Sequence, residues 1–370
     1  MMNRRQTYYF IGNLLSFSVS DEQKKMFIKA FKSPAFNWPV FVALGSNHLV
    51  LQTIYCKLFD YKLTDYLPSE IKSHLKRIYD LNFERNTEII SQVDSVNLLL
   101  NKHGIAPLYM KGAGNIIDGL YTDIGERIMH DIDILIQEEQ WNPVISALLQ
   151  DGYCAFSESI PGKTTKHYPP LYKSGNKITL EIHRAPVDNE HTRLISTKEI
   201  WDNRKQINGH GDCYVMSNHH KIILNFIHSQ LTHHGYSYAR AYLRDLYDLQ
   251  LLSSRENIEE NFKRLKRYRS RAISYVGLMN KVFQGRSTEK LKLNILNHIH
   301  LFRCELNLKL RIAGMITFLL SVMFRSYILI PFRSLKNQES RNSLPKKLFD
   351  KNWYMKHYRS LTRIYRINTS

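Results

Sequence analysis

The stretch LYMKGAGNIIDGLYTDIGERIMHDIDILI, residues 108–136, combines a Lys-Gly turn, an arginine and an Asp-x-Asp pair in one short unit. Asp131 and Asp133 alternate with isoleucines at 132, 134 and 136, and this period of two predicts a strand with both carboxylates on one face. Two adjacent carboxylates need a cation, and such hard oxygen ligands suit Mg²⁺ or Mn²⁺ together with substrate phosphates. The stretch therefore predicts a site for a metal-bound nucleotide.

The segment before the acidic strand predicts a phosphate-binding turn. The apolar run at 105–110 indicates a short strand that leads directly into KGAGNIIDGLY, residues 111–121. Gly112 and Gly114 would let the backbone approach a ligand closely, and the helix that follows offers N–H groups to phosphate oxygens. Lys111 adds a full positive charge. We therefore expect Lys111 and Gly112 to bind nucleotide phosphates.

A third carboxylate lies in KITLEIHRAP, residues 177–186, where apolar and polar residues alternate again. Glu181 and His183 share one face of this predicted strand. Nucleotidyl transfer with two metal ions uses such a cluster of carboxylates, because charge builds up along the line of displacement. Glu181 would complete an acidic triad, whereas His183 has two interpretations, a residue that orients Glu181 or an edge-strand histidine.

The order of these features resembles the uncharacterised nucleotidyltransferase family with a KG loop, a branch of the polymerase-beta-like superfamily. A strand, Lys-Gly, a helix, Tyr, Arg, Asp-x-Asp and then Glu-x-His follow one another, and the resemblance covers about residues 41–252. It implies an α+β fold, with a small mixed polymerase-beta-like nucleotidyltransferase sheet backed by helices. N-terminal and C-terminal helical regions would flank this core.

Carried over residue by residue, the resemblance implies metal binding at Asp131 and Asp133, with Glu181 as the third acid that activates the acceptor hydroxyl. Lys111 and Gly112 stand where the superfamily usually has Gly-Ser. The lysine and the backbone amides would therefore replace the phosphate contact of the serine.

Two further polar residues are implied as nucleotide contacts. Arg127 would be a second phosphate contact, and Asp245, in ARAYLRDLYDLQLL, would position a base or ribose. Each has a structural alternative. Arg127 is at helical spacing from Asp123, and a plain ion pair between residues 244 and 248 is the interpretation that we favour for the later helix.

Histidines in the segment 219–234 invite a zinc interpretation. No cysteine or carboxylate stands near them in a known ligand pattern, so we predict histidines on packed helices, with His228 facing the nucleotide. The five residues are His219, His220, His228, His233 and His234.

Composition indicates a folded protein of 370 residues with free thiols, since its four cysteines form no Cys-x-x-Cys. The first residues lack the pattern of a cleaved signal peptide. We expect a cytoplasmic protein, with peripheral attachment to the inner membrane as the alternative. The apolar run 312–324 is shorter than the roughly 20 residues of a spanning helix, and it predicts a buried core helix. The alternative is a membrane-surface helix with flanking arginines.

The formal net charge is +19, and residues 333–370 hold ten basic and two acidic residues. A basic surface attracts nucleic acid or anionic lipid, so the tail is a candidate for either partner. We divide the chain into a helical N-terminal region (1–100), a nucleotidyltransferase core (101–215), a helical C-terminal region (216–332) and the basic tail (333–370). Strands are expected at 106–110, 131–136 and 178–183.

The sequence predicts a metal-dependent nucleotidyltransferase that transfers a nucleoside monophosphate from an NTP and releases pyrophosphate. Its acceptor is open among a small molecule, a glycan or peptide intermediate, a protein and tRNA. The competing hypothesis is a catalytically degenerate module that binds a nucleotide or nucleic acid without turnover. A third is a peripheral membrane protein attached through residues 311–336.

Overall fold

The computed structural model describes residues 2–156, 166–284 and 292–329, together with positions 351 and 355. Apart from those two positions, the predicted basic tail lies outside the described residues. Seven strands form a mixed sheet in the order β3-β4-β5-β2-β1-β7-β6. The strands are β1 (Leu108–Tyr109), β2 (Asp131–Leu135), β3 (Cys154–Ala155), β4 (Leu171–Tyr172), β5 (Thr179–His183), β6 (Lys205–Ile207) and β7 (Cys213–Val215).

The two longest strands lie side by side, with β2 parallel to β5 and antiparallel to β1. Their alternating apolar residues explain the position, because Ile132 and Ile134 in β2 and Leu180 and Ile182 in β5 are fully buried. The predicted strands near 131 and 178 are confirmed. The strands β3, β4, β6 and β7 are only two or three residues long, and the sequence did not reveal them.

Helices precede, flank and follow the sheet, and the α+β class is confirmed. Their buried apolar side chains join those of the sheet in one continuous core. The helices are α1 (Arg4–Leu14), α2 (Asp21–Phe31), α3 (Trp38–Asn47), α4 (Leu51–Asp60), α5 (Ser69–Lys102), α6 (Lys111–Ile117), α7 (Trp141–Gln150), α8 (Thr197–Asp202), α9 (Asn218–Phe226), α10 (Gly235–Tyr238), α11 (Leu243–Ser253), α12 (Ile258–Lys263), α13 (Arg269–Val282), α14 (Ile295–Lys309) and α15 (Arg311–Phe324).

Helix α5 holds the segment that leads into β2. Its buried Asn82 donates from Nδ2 to the carbonyl oxygen of Gly125 at 2.8 Å, and Asn86 donates to the carbonyl oxygen of Arg127 at 2.8 Å. Buried carbonyl groups need such partners, since an unpaired one costs about 1–3 kcal/mol. The two asparagines therefore fix the backbone just before the acidic strand.

The apolar run 312–324 forms α15, but the prediction of a buried core helix is wrong. Phe318 packs inward and is 9% exposed, whereas Ile312, Ile316 and Leu320 are 68%, 48% and 62% exposed. These three residues recur every fourth position and so form one outward stripe. Among the described residues, none of the helices has the length and hydropathy needed to cross a bilayer.

Candidate active site

The register between β2 and β5 brings two of the predicted carboxylates together. Asp133 is directly opposite Glu181, and Asp131 is opposite Thr179. The ring of His183 joins them, with Nε2 at 2.8 Å from Asp133 Oδ1 and 3.4 Å from Glu181 Oε2. Because β5 lies between β4 and β2, His183 is fully buried and is not an edge-strand histidine.

The three side chains form a candidate metal centre. The ligand atoms of Asp133, Glu181 and His183 all lie within 4.8 Å of one another. In the described part of the chain, this is the one group of three His, Cys, Asp or Glu side chains that lie close enough together to hold a metal ion. Asp131 is outside this tight group. Carboxylate oxygens suit Mg²⁺ and Mn²⁺, whereas imidazole suits softer transition metals. The two carboxylates therefore fit the predicted ion.

Burial and neighbouring charges shift the pKa values of the three carboxyl groups in different directions. Burial tends to raise the pKa of Asp133, but Lys111 and His183 outweigh it and hold that pKa well below its usual value. The hydrogen bond from His183 lowers the pKa of Glu181. Burial and the nearby Asp133 charge raise the pKa of Asp131. The surroundings thus favour the charged form of Asp133 and Glu181 and disfavour the charged form of Asp131.

Lys111 contacts the acidic group directly, because its Nζ lies 2.5 Å from Asp133 Oδ1. Burial disfavours its charge, yet Asp133 and Asp131 keep the pKa of Lys111 above its usual value. Its backbone is also unusual, with a φ of 50° in the left-handed region that non-glycine residues seldom adopt. Such strain persists only where the surroundings hold it, and it is often found at functional sites.

The glycines that follow are explained first by packing. A Cβ on Gly114 would lie 2.5 Å from the carbonyl oxygen of Tyr109, and a Cβ on Gly112 would lie 2.6 Å from Cγ of Met129. Gly114 therefore needs glycine for the close contact of α6 with β1, whether or not a phosphate binds there, whereas at Gly112 the nearest atoms belong to a side chain that can shift.

Arg127 is buried and forms a pair with a residue that the sequence analysis did not connect to it. Its Nε lies 2.9 Å from Asp248 Oδ2, and the hydroxyl of Tyr121 donates to Asp248 Oδ1 at 2.8 Å. Asp123, its predicted helical partner, instead accepts from the hydroxyl of Tyr79 at 2.8 Å. The interpretation of Arg127 as the partner of Asp123 is therefore wrong.

The predicted ion pair between Arg244 and Asp248 is also wrong. Arg244 lies 3.0 Å from Asp245 Oδ1, while Asp248 is engaged by Arg127. Burial opposes the charge of Asp245, but Arg244 outweighs it and lowers the pKa of this carboxyl. Both predicted nucleotide contacts, Arg127 and Asp245, are therefore in ion pairs with protein groups.

A cleft of about 510 Å³, including the part that is open to solvent, lies beside Arg127, Arg244, Asp245 and Asp248. Its link to the acidic strands is Lys111, which lines the cleft and contacts Asp133 of β2. Lys111 lies at one part of its wall and Arg244 at another. Four cationic residues line the cleft against two carboxylates, and each of the four also contacts a carboxylate of the protein, so an anionic ligand would share these cations with them. The four cations are Lys111, Arg127, Lys221 and Arg244, against Asp245 and Asp248.

Lys221 is a cleft residue that the sequence analysis missed. It is buried in α9, and its Nζ lies 2.5 Å from Asp118 Oδ2. Lys205 and Arg255 also contact Asp118, so three cations share one carboxylate. Burial lowers the pKa of Lys221 to about 8. A lysine inside the apolar segment KIILNF was the signal that could have revealed it.

The helical histidines form no zinc site among the residues described. His228 lines the cleft, and its Nε2 is 3.0 Å from Nε2 of His233. No third ligand joins them within the described ranges. His220 instead contacts the hydroxyl of Ser217 at 2.8 Å. Burial lowers the pKa of His228 to about 3, so its ring is neutral at physiological pH.

Comparison with known families agrees with the resemblance seen in the sequence. The family model described as uncharacterised nucleotidyltransferase matches residues 34–281. This range includes the acidic strands, the Lys-Gly turn and the cleft helices. Searches among curated proteins and among solved structures gave no match.

Proposed function

The chain belongs to the uncharacterised nucleotidyltransferase family, and from this premise we propose that it is a metal-dependent nucleotidyltransferase with a polymerase-beta-like core. It would transfer a nucleoside monophosphate from an NTP to an acceptor and release pyrophosphate. The observation that carries the proposal is the group of Asp133, Glu181 and His183 beside the ammonium group of Lys111.

Asp133 and Glu181, with Asp131 next to them, would hold Mg²⁺ or Mn²⁺. The metal would supply positive charge to the phosphate oxygens and to the oxygen that attacks. His183 would hold Asp133 in place, because its Nε2 contacts both carboxylates and its ring is packed inside the sheet. Groups of this kind orient metal ligands and set their basicity.

Glu181 is proposed to meet the acceptor, because its side chain is 21% exposed, compared with 1% for Asp133. In the proposed reaction an acceptor oxygen attacks the α-phosphorus, and its proton passes to Glu181. The bond between the α-phosphorus and the bridging oxygen to the β-phosphate breaks, so pyrophosphate carries away the electron pair.

The cleft cations would hold the triphosphate. Lys111 would exchange Asp133 for a phosphate oxygen when the metal takes over the carboxylate. The backbone of Gly112 would lie next to it, and Arg127 would add its remaining guanidinium donors. Arg127 contacts Asp248 through Nε, and Nη1 donates to the carbonyl oxygen of Ile128. Asp245 is proposed to contact the ribose or base.

A labelling experiment tests this proposal and reveals the acceptor. The purified protein is incubated with each α-³²P-labelled NTP, Mg²⁺ or Mn²⁺, and separate acceptor pools of metabolites, glycans and peptides, proteins, or total tRNA. Label that is transferred by the wild type and not by Glu181→Gln supports an enzyme. Asp202→Asn is the matched control, because Asp202 lies in α8 and, among the described residues, its carboxylate pairs with one exposed lysine, Lys198.

One observation favours the competing binding module. The positive charge of Lys111 already balances Asp133, so this carboxylate has a counter-charge without a metal. A module of this kind would bind NTP with equal affinity in the wild type and in Asp133→Asn, and no acceptor would be labelled. Equilibrium binding of each NTP, with and without Mg²⁺, distinguishes the two functions.

A further inference from the structure

A second cavity lies on the other side of the segment that forms one wall of the cleft. We call it the α15 cavity, since Gly314 and Phe318 of α15 line it. It measures about 1430 Å³, including the part that is open to solvent. Residues 238–242 line this cavity, whereas Arg244 and Asp245 line the cleft, and the two described linings share no residue. The α15 cavity is therefore separate from the proposed nucleotide site.

The charge on its wall is positive. Arg4 and Arg240 line the cavity, and none of the lining residues in the described part of the chain is acidic. The guanidinium of Arg240 lies 5.6 Å from the ring centre of Tyr238 and 5.5 Å from that of Tyr242. Within the described ranges, its guanidinium has these two ring contacts and no hydrogen bond or ion pair to another side chain. A guanidinium held in this way can still donate to an anion.

His48 provides a neutral donor on the same wall. Its Nδ1 accepts from the backbone N–H of Leu243 at 3.3 Å, so the ring hydrogen is on Nε2. The ring lies between Tyr8 and Tyr242, with centres 5.1 Å and 6.0 Å away. Burial and the nearby arginines lower the pKa of His48 to about 3. It therefore donates without adding charge.

The backbone at the wall is strained and is held from outside the segment. Ala239 has a φ of 49°, a left-handed conformation that a residue with a Cβ rarely adopts. Asn307 holds it there, since its Nδ2 donates to the carbonyl oxygens of Tyr238 at 3.0 Å and Ala239 at 3.3 Å. Strain maintained in this way is characteristic of ligand sites and supports a binding role.

The rest of the wall is apolar and includes Leu278, Leu308 and Phe318. A site of this kind fixes a ligand through a few polar groups and encloses its apolar body. We propose that the α15 cavity binds an anionic ligand with an aromatic or aliphatic body, whose phosphate or carboxylate group contacts Arg240 and His48. The shared chemistry allows a soluble aromatic metabolite or a lipid-derived chain.

The test uses the full-length protein and the fluorescent probe 8-anilinonaphthalene-1-sulfonate, an aromatic anion. Phenyl phosphate and dodecyl phosphate are added as competitors, and phenol serves as the uncharged comparison. Arg240→Gln removes the cation. Gly314→Leu fills the cavity from α15, where an added Cβ has no contact closer than 3.7 Å. Two controls leave the cavity unchanged, Ile316→Ser on the outer face of α15 and Arg264→Gln, an exposed arginine elsewhere.

We expect one saturable site that either phosphate displaces and phenol does not. Displacement by phenyl phosphate indicates an aromatic metabolite, and displacement by dodecyl phosphate alone indicates a lipid-derived chain. Loss of a charge-assisted hydrogen bond weakens binding about tenfold or more in Arg240→Gln, and Gly314→Leu abolishes it, while both controls bind as the wild type does.

Three results would overturn the proposal. Equal affinity in Arg240→Gln and the wild type would place the probe elsewhere, and weaker binding in Ile316→Ser would place it on the outer face of α15. Failure of both phosphates to displace the probe would have the same meaning. A thermal melt of each variant shows whether it is folded, and Arg240→Gln decides the outcome if Gly314→Leu does not fold.

Discussion

Lys111 Nζ lies 2.5 Å from Asp133 Oδ1, so a lysine ammonium stands at the carboxylate that the proposed metal ion would bind. In the proposed function, Lys111 and the metal ion would compete for this carboxylate. Lys111 would then be released to the phosphates when the metal is bound, so we predict that metal binding and nucleotide binding are coupled.

Replacing Lys111 with Met is expected to strengthen metal binding and to weaken transfer. The variant removes the charge that competes for Asp133, so the affinity for Mn²⁺ should rise about tenfold or more. The KM for NTP should rise as well, since a phosphate contact is lost. Calorimetric titration with Mn²⁺ measures the first effect, with Lys198→Met as the exposed control. Unchanged or weaker Mn²⁺ binding would show that Lys111 does not compete with the metal.

Asp248→Asn is expected to destabilise the fold strongly. Asp248 and Arg127 form a pair whose side chains are 5% and 11% exposed, so neutralising Asp248 leaves a buried positive charge. Breaking such a pair costs about 3–5 kcal/mol. Urea unfolding measures the loss, and Asp202→Asn at an exposed pair should cost about 0.5 kcal/mol or less.

The double variant Arg127→Met/Asp248→Asn provides the internal check. It removes the unpaired charge, so it should be more stable than Asp248→Asn alone. If the double variant is as unstable as the sum of the two single variants, the two residues are not coupled. An increase in the KM for NTP in a folded Arg127→Met variant would support the proposed phosphate contact.

Two alanine substitutions in α6 should differ in effect. At Gly114 the new Cβ would lie 2.5 Å from a carbonyl oxygen, which cannot move without shifting the strand, so Gly114→Ala should cost about 1–3 kcal/mol. At Gly112 it meets only the flexible side chain of Met129, and alanine also favours the helix. Gly112→Ala should thus be the more stable of the two in thermal melts. The reverse order would contradict the packing described for α6.

Stability is expected to fall as the pH falls from 6.5 to 4. Burial lowers the pKa of His300 to about 4, below the value of about 6.5 in an unfolded chain. In this window the unfolded state binds a proton that the folded state does not, so the stability present above pH 6.5 is lost as the pH decreases. The same direction holds for other buried histidines, namely His48, His220, His228 and His234.

The variant His300→Gln removes one of these histidines and so measures its contribution to the acid sensitivity. As the pH falls from 6.5 to 4.5, the wild type should lose about 2 kcal/mol more of its unfolding free energy than His300→Gln does. Urea unfolding at several pH values measures it, and His298→Gln on the same helix is the exposed control. A pH slope that is identical in the wild type and His300→Gln would exclude His300 as a source of the acid sensitivity.

The parts of the fold that the sequence predicted depend on local patterns. Alternation at 131–136 and 178–183 placed β2 and β5, and the shared face of Glu181 and His183 followed from the same period. The contact of His183 with Asp133 was not predictable, because it depends on the register between two strands that are far apart in the chain. The short strands carry too few residues for any period to be seen.

Local sequence patterns also could not predict which charged residues pair with one another. Arg127 pairs with a carboxylate from a distant helix, whereas spacing along one helix suggested Asp123 for it and Arg244 for Asp248. The exposed face of α15 could not be predicted for a different reason. Its run is apolar on every side, so only packing against α14 and α10 decides which residues face inward.

The most direct test compares transfer rates of the wild type and Asp133→Asn at saturating α-labelled NTP, Mn²⁺ and the acceptor found by labelling. Asp202→Asn is the matched control. Asp133→Asn should lower the rate at least about a hundredfold, since second-sphere changes alone reach 10–100-fold. Asp202→Asn should transfer at the wild-type rate. Equal rates in the wild type and Asp133→Asn would contradict a metal centre at β2 and β5.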